Sequence, residues 1–215
     1  YRKEHIFVTG SPMPEVLGAY REQIAASEVL ERLGLAAGQY ILVSAHREEN
    51  IDNESNFSSL MNAINNLAER YQLPVVYSTH PRSRKFIEER GFVFHPLVQS
   101  LPPFGFYDYN KLQKNAYCVL SDSGTLSEES AILGFTGVLI RTSTERPEVL
   151  DKGTIVIGGI TGDDIEAAID LAVAMRANAE PAALPPDYAD TNVSIKVVKI
   201  IQSYAKIIDK VVWGK

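Results

Sequence analysis

Short apolar runs that break at once into charged or hydroxyl-bearing clusters recur along this chain, and no other feature limits its architecture as much. Tyr40 to Ser44 runs into Ala45-His46-Arg47-Glu48-Glu49-Asn50, and Pro74 to Thr79 runs into His80-Pro81-Arg82-Ser83-Arg84-Lys85. Tyr117 to Leu120 gives way to Ser121-Asp122-Ser123-Gly124-Thr125, and Gly137 to Arg141 delivers Glu145-Arg146-Pro147-Glu148. Runs this short and apolar read as strands buried on both faces. Helical spacing fills the intervals, as in Leu60, Ile64, Leu67 and Tyr71, or the segments 84–90 closing at Gly91, 109–115, and 125–134 closing at Gly134. Strands alternating with helices at this interval predict an α/β fold, a parallel sheet with helices on both faces. Ligands of such sheets bind beyond the carboxyl ends of the strands, so all of these polar clusters are expected along one edge.

The remaining stretches fit around that frame. Ile6 to Gly10 reads as a strand already under way in a chain whose first residue is Tyr, so an amino-terminal part is expected to be missing. Pro12 suits a first helical position, followed by Val16, Leu17, Tyr20, Ile24 and Ala25 at helical spacing. A further helix is expected over Glu28 to Leu35, a strand over Phe92 to His95, and a loop over Gln99 to Gly105, where Pro102 and Pro103 interrupt the pattern. Thr154 to Ile157 predicts another strand, Asp163 to Met175 a helix, and the Ala- and Pro-rich segment 179–186 a linker. Residues 1–190 thus read as one lobe and 191–215 as an appended long helix. That helix is apolar at Val197, Ile201, Tyr204, Ile208 and Val211, and also at Val198, Ile200, Ile207 and Val212, wider than one packing seam requires. It lies across this domain or reaches for a partner lobe.

Composition excludes several classes. A chain of 215 residues, 45% hydrophobic and 22% charged, can bury a substantial core. Its formal charge of −6 argues against nucleic acid as a partner. No apolar run approaches the roughly 20 residues of a membrane span, so no membrane partner is expected. The single cysteine, Cys118, rules out an internal disulfide and fits a reducing cytoplasm.

The polar clusters each admit a structural and a functional reading. Ser123-Gly124-Thr125 joins a strand to a helix, where free backbone N–H groups and the helix dipole favour an anion and glycine clears the approach. Thr125 and Glu128 also have the spacing of a capping box, which would make the turn a plain helix cap. The cap leaves Glu129 unexplained; one turn into the helix, it suits the hydroxyls of a ribose. His46 is a structural residue or, opposite a phosphate site, a donor to a diphosphate oxygen that stabilises a leaving group. The cations from His80 to Lys85 oppose the dipole of the helix they begin and so lack a local rationale, and Arg141 and Arg146 invite the same anion argument. The paired histidines of a helical zinc site are absent from His46-Arg47-Glu48-Glu49-Asn50, so no metal is expected.

Together, 45–50, Ser121-Asp122-Ser123-Gly124 with Glu128-Glu129, and Thr144-Glu145-Arg146-Pro147-Glu148 resemble the hallmark segments of the non-hydrolysing UDP-N-acetylglucosamine 2-epimerases. The resemblance implies the carboxyl-terminal lobe of a glycosyltransferase-B-type fold of two Rossmann-like lobes, the final helix crossing back to the missing amino-terminal lobe. It implies a UDP-sugar substrate, no cofactor and a homodimeric full-length enzyme. His46 would aid departure of the diphosphate, Ser123, Gly124 and Thr125 would bind phosphate, Glu129 would hold the ribose, and Arg146 would complete the pocket. Arg47, Glu49 and His80 match positions that in some bacterial members serve a second, regulatory sugar nucleotide. Gly10-Ser11-Pro12-Met13-Pro14-Glu15 and the Ser-Gly-Thr spelling are similar to the branch that makes UDP-N-acetyl-L-fucosamine from a 6-deoxy-talose epimer. A glycosyltransferase lobe and a non-catalytic UDP-binding module are the competing readings, because both share the architecture.

Overall fold

A computed structural model describes residues 5–178 and 183–214. Six strands, β1 (Ile41–Ser44), β2 (Val75–Ser78), β3 (Val98–Leu101), β4 (Cys118–Ser121), β5 (Gly137–Leu139) and β6 (Ile155–Ile157), form one sheet in the order β3-β2-β1-β4-β5-β6. Every neighbouring pair is parallel. The helices are α1 (Met13–Ala19), α2 (Arg21–Ala26), α3 (Val29–Arg32), α4 (Glu48–Ile51), α5 (Glu54–Tyr71) and α6 (Pro81–Glu89) in the first half. In the second half come α7 (Phe106–Asn115), α8 (Leu126–Leu133), α9 (Pro147–Asp151), α10 (Gly162–Asn178) and α11 (Val193–Val211).

Alternation along the central strands builds the two layers. Ile41, Val43, Val75, Tyr77, Cys118 and Leu120 pack on one face with Leu60, Ile64 and Leu67 of α5 and Ile165 and Ile169 of α10. Tyr40, Leu42, Val76, Val119 and Leu139 point the other way, against Leu112 of α7 and Leu126 of α8. Both faces are therefore dry, which is why these strands read as unbroken apolar runs. The helix ends follow local chemistry. Asn53 caps α5 by accepting the Ser55 and Asn56 amides at 2.9 and 3.1 Å, and Gly134 ends α8 with φ +72°.

Several expectations need correction. Residues 6–10 form no strand; Ile6, Phe7 and Val8 are exposed, and no neighbouring backbone extends the sheet there. The third strand lies at 98–101, overlapping the start of the segment 99–105 expected as loop, and not at 92–95. Phe92 and Phe94 stack edge-on with centroids 5.2 Å apart, and Phe94 meets Tyr77 at 6.2 Å, so that apolar run is a loop packed on the core. The helix after β2 begins at Pro81 rather than residue 84, because Nδ1 of His80 accepts the Arg82 amide at 3.2 Å and serves as its cap. The pattern over 12–25 is two helices that break at Tyr20, and α3 is shorter than 28–35. Of the linker at 179–186, residues 179–182 lie outside the described residues, and Pro186–Tyr188 forms a 3-10 turn.

The last helix departs from the others. Val193 is its buried residue, while Ile195, Val198, Ile201, Ile207, Val211 and Val212 are exposed. Its first turn is tied down: Glu15 accepts the Ser194 amide at 2.9 Å, and Lys196 reaches the Thr9 carbonyl and Asp190. Among the described residues no helix is long and apolar enough to cross a membrane.

Candidate functional site

The strand order reverses between β1 and β4, and at such a switch point the loops leaving two adjacent strands diverge and open a crevice. Ser44 pairs with Ser121 at the carboxyl end, so 45–50 and 122–125 emerge side by side. Asp122 ties them together. It is fully buried, and its Oδ2 accepts the His46 and Arg47 amides, both at 2.8 Å, and Nδ2 of Asn50 at 3.1 Å. Its Oδ1 has no well-aligned hydrogen bond among the described residues and faces Nδ1 of His46 at 3.3 Å. Asp122 raises the pKa of His46 by this contact, against burial and the nearby Arg47. Burial alone would raise the Asp122 carboxyl; the imidazole and the two amides outweigh it and leave it lowered.

On the other side of the switch point the turn into α8 carries no capping box. Thr125 has helical backbone angles, and no side chain caps the helix. Its hydroxyl lies 3.0 Å from that of Ser123 instead, and the Ser123 amide donates to the Ser121 hydroxyl at 3.1 Å. Glu128, the other half of the expected box, accepts from the Ser11 hydroxyl at 2.7 Å and pairs with Nη2 of Arg146 at 3.2 Å. A Cβ added to Gly124 would stand 3.1 Å from Nη1 of Arg146. Glycine here admits a guanidinium against the turn, while the helix dipole adds positive potential. Glu129 is buried and accepts from Nε2 of Gln113 at 2.6 Å; burial raises its pKa.

The flanks are built differently. Arg82 forms ion pairs with Glu48, at 3.0 Å, and with Asp52. The cation at the start of α6 therefore has a local partner after all, in the acidic first turns after β1. His80 places its ring 5.7 Å from that of His46. Arg141 is buried and grips Glu145 through two bonds of 2.9 and 2.6 Å, which hold the Glu145 carboxyl down at about 2. Its Nε also lies 4.0 Å from Glu49, itself 3.8 Å from Nη1 of Arg47. Arg141 is thereby committed to acids of this chain, and Arg146 is the arginine presented at the turn.

A doubly wound sheet hosts many unrelated functions, so the sequence match decides among them. Residues 1–202 match the UDP-N-acetylglucosamine 2-epimerase family. The chain belongs to that family. A UDP-N-acetylglucosamine 2-epimerase of Methanococcus maripaludis is 35% identical over 131 residues, 59% of this chain and 36% of that protein. A UDP-2,3-diacetamido-2,3-dideoxy-D-glucuronate 2-epimerase of Pseudomonas aeruginosa is 33% identical over 141 residues, 65% of this chain and 39% of its own length. The solved structure of a UDP-N-acetylglucosamine 2-epimerase from Rickettsia bellii superposes with a TM-score of 0.84 at 36% identity, covering 96% of this chain and 56% of that one. The chain thus spans little more than half the length of that solved relative.

Within this epimerase-family lobe, the residues singled out in the sequence fall into two groups. His46, Arg47, Glu49 and His80 stand on the β1 and β2 side, and Ser123, Gly124, Thr125, Glu129 and Arg146 on the β4 and β5 side. The rings of His46 and His80 face each other and Arg146 occupies the space beside Gly124, whereas Glu129 is turned to Gln113 of α7. Sequence reasoning assigned Glu128 a part only as half of a helix cap, and Asp122, Asn50 and Ser11 no individual role. The one available signal was an acid placed directly after a buried apolar run, where a carboxylate needs donors it cannot find on its own strand.

Proposed function

We propose that this chain is the UDP-binding lobe of a sugar-nucleotide 2-epimerase, which inverts C2 of a UDP-2-acetamido sugar by eliminating UDP and adding it back. The observation that carries this reading is that Ser44 pairs with Ser121, which brings out His46 and the Ser123-Gly124 turn on neighbouring strand ends at the β1/β4 switch point, with Arg146 in the space a side chain at Gly124 would need. In the forward step the C2 proton leaves to a base, its electron pair becomes the C1=C2 bond of a 2-acetamidoglycal, and the C1–O bond breaks onto the diphosphate. The leaving group gathers negative charge, which His46, the α8 turn and Arg146 are suited to stabilise. Addition of UDP with proton return to the other face completes the inversion.

The acid–base groups at C2 belong, on this reading, to an amino-terminal lobe, so this chain alone binds UDP weakly and turns nothing over. We assign 1–190 to the nucleotide lobe and 191–215 to a helix that crosses to the other lobe; its exposed apolar side chains support that assignment. Glu129 holds the ribose, which suits a carboxylate set one turn into α8. The spelling at 10–15 and at Thr125 favours a 6-deoxy substrate of the kind used in capsule or O-antigen precursors.

The test supplies the full-length enzyme with UDP-activated 2-acetamido sugars in deuterium oxide. Deuterium at C2, with the UDP returned to the sugar, is the expected result. Release of free UDP with transfer of the sugar to an acceptor would replace this reading with a glycosyltransferase.

A further inference from the structure

We propose that Asp122 is a positioning residue for this reaction: it holds His46 as a cation whose Nε2–H points away from the protein, toward the oxygen of the departing diphosphate. The inference rests on the role given to His46 above. It starts from how the carboxylate divides its oxygens. Oδ2 takes the His46 and Arg47 amides and the Asn50 side chain, and Oδ1 faces Nδ1 of His46 at 3.3 Å. No part of the Asp122 side chain is exposed, so bulk water does not solvate the second oxygen, and the imidazole supplies the remaining N–H.

Two consequences follow from the chemistry of the ring. The nitrogens of an imidazole point apart, so Nδ1 turned to Asp122 sends Nε2 outward on a side chain that is 46% exposed. With its hydrogen committed to Nδ1, the neutral ring has a bare lone pair at Nε2 and cannot donate there; the cation can. A carboxylate facing Nδ1 disfavours the neutral Nε2–H tautomer, whose Nδ1 lone pair would meet it, so of the forms Asp122 admits only the cation can donate to a leaving phosphate oxygen. In the elimination, electrons from the C1–O bond go to that oxygen, Nε2–H donates to it, and no proton leaves Asp122.

The same amide bonds make the arrangement self-locating. The carboxylate that orients the ring also holds the backbone of His46 and Arg47, so loop and side chain are set by one group. The charged or titratable groups facing His46 are Asp122, Arg47 at the start of α4 and His80 at the start of α6, with Arg141 acting on Asp122 from beyond β5. Arg47 works against the cation and Asp122 for it.

The experiment uses the full-length enzyme. Asp122→Asn keeps an oxygen for the backbone donors and puts a donor where Nδ1 needs an acceptor. We expect kcat to fall on the order of a hundredfold, KM to stay within about threefold, and the alkaline limb of the kcat profile to move to lower pH. An unchanged kcat or an unmoved limb overturns the proposal. The double variant with His46→Gln should be no slower than His46→Gln alone; losses that add would assign Asp122 a purely structural role. His46→Gln turning over at the wild-type rate would instead remove the role of His46 itself, which separates the two readings. A measurement on the wild type needs no variant to fold: NMR of labelled histidines should show His46 titrating above the ordinary value of about 6.5, and titration at or below it overturns the proposal.

Discussion

Two sets of cations stand along the same sheet edge and differ in where their carboxylates lie. His46 and Arg146 are matched to Asp122 and Glu128, whose side chains are 0% and 9% exposed, whereas Arg82 is matched to Glu48 and Asp52, at 79% and 40%. A buried carboxylate has no water to turn to, so it fixes its partner in one place and aims the partner's free donors elsewhere. An exposed one is screened and exchanges its partner for water at little cost. Under the proposed function, the difference separates cations held for a ligand from cations that neutralise a surface. The resemblance of both sets in sequence, short basic clusters after a strand, hides it.

The largest test of that separation is His46→Gln in the full-length enzyme, for which turnover should fall on the order of 10²- to 10⁴-fold with substrate affinity little changed. Arg146→Ala comes next. Calorimetry should show UDP binding weakened by about tenfold or more, and Glu128→Gln should reproduce part of that loss by letting the guanidinium leave the turn. Equal UDP affinity in both variants would dissolve the distinction between the two sets.

A pH series sharpens the comparison further. The pKa of His46 is raised in the folded protein by Asp122, so the proton it carries favours the folded state and an anionic ligand alike. That contribution is present in full below the unfolded value of about 6.5 and is lost as pH rises through the higher folded value. UDP affinity should weaken across that window in the wild type and show no such weakening in His46→Gln. Gly124→Ala is a smaller perturbation. The new methyl meets Nη1 of Arg146 at 3.1 Å, so the guanidinium must shift by a few tenths of an ångström, and UDP affinity should fall by about fivefold or less while the melting temperature holds. Smallest of all, Arg82→Ala should change stability by less than about 1 kcal/mol and leave UDP affinity unmoved, read by denaturant unfolding and calorimetry. A loss of UDP binding there would place the flank inside the site.

The same contrast explains which strands could be read in advance. β1, β2 and β4 are apolar up to a closing serine because both of their faces are covered, and a run of that kind has few other uses. β3 is an edge strand, Val98-Gln99-Ser100-Leu101, half-buried and half-polar, and it reads as a loop. Its more strand-like neighbour, Phe92 to His95, packs Phe94 on Tyr77 and Phe92 on Phe94 and gives the sheet no backbone. α5 and α11 make the point for helices. Both carry an apolar stripe, yet α5 buries Phe57, Leu60, Ile64 and Leu67 while α11 buries Val193. Periodicity announces a face; it does not say what covers it.

For the site, the sequence by itself determined the chemistry at each strand end: a histidine after β1, a Ser-Gly turn after β4, an arginine and proline after β5. It also carried the family, because those segments keep their order along the chain. What tertiary structure decided is adjacency. β4 follows β3 in the chain but lies against β1, on the far side of it from β2, and only that crossover sets the Ser-Gly turn beside His46. Asp122 belongs to the same decision. A carboxylate in sequence is only an acid; 76 residues away from His46, this one becomes an anchor because burial removes its water and the reversed strand order brings the donors to it.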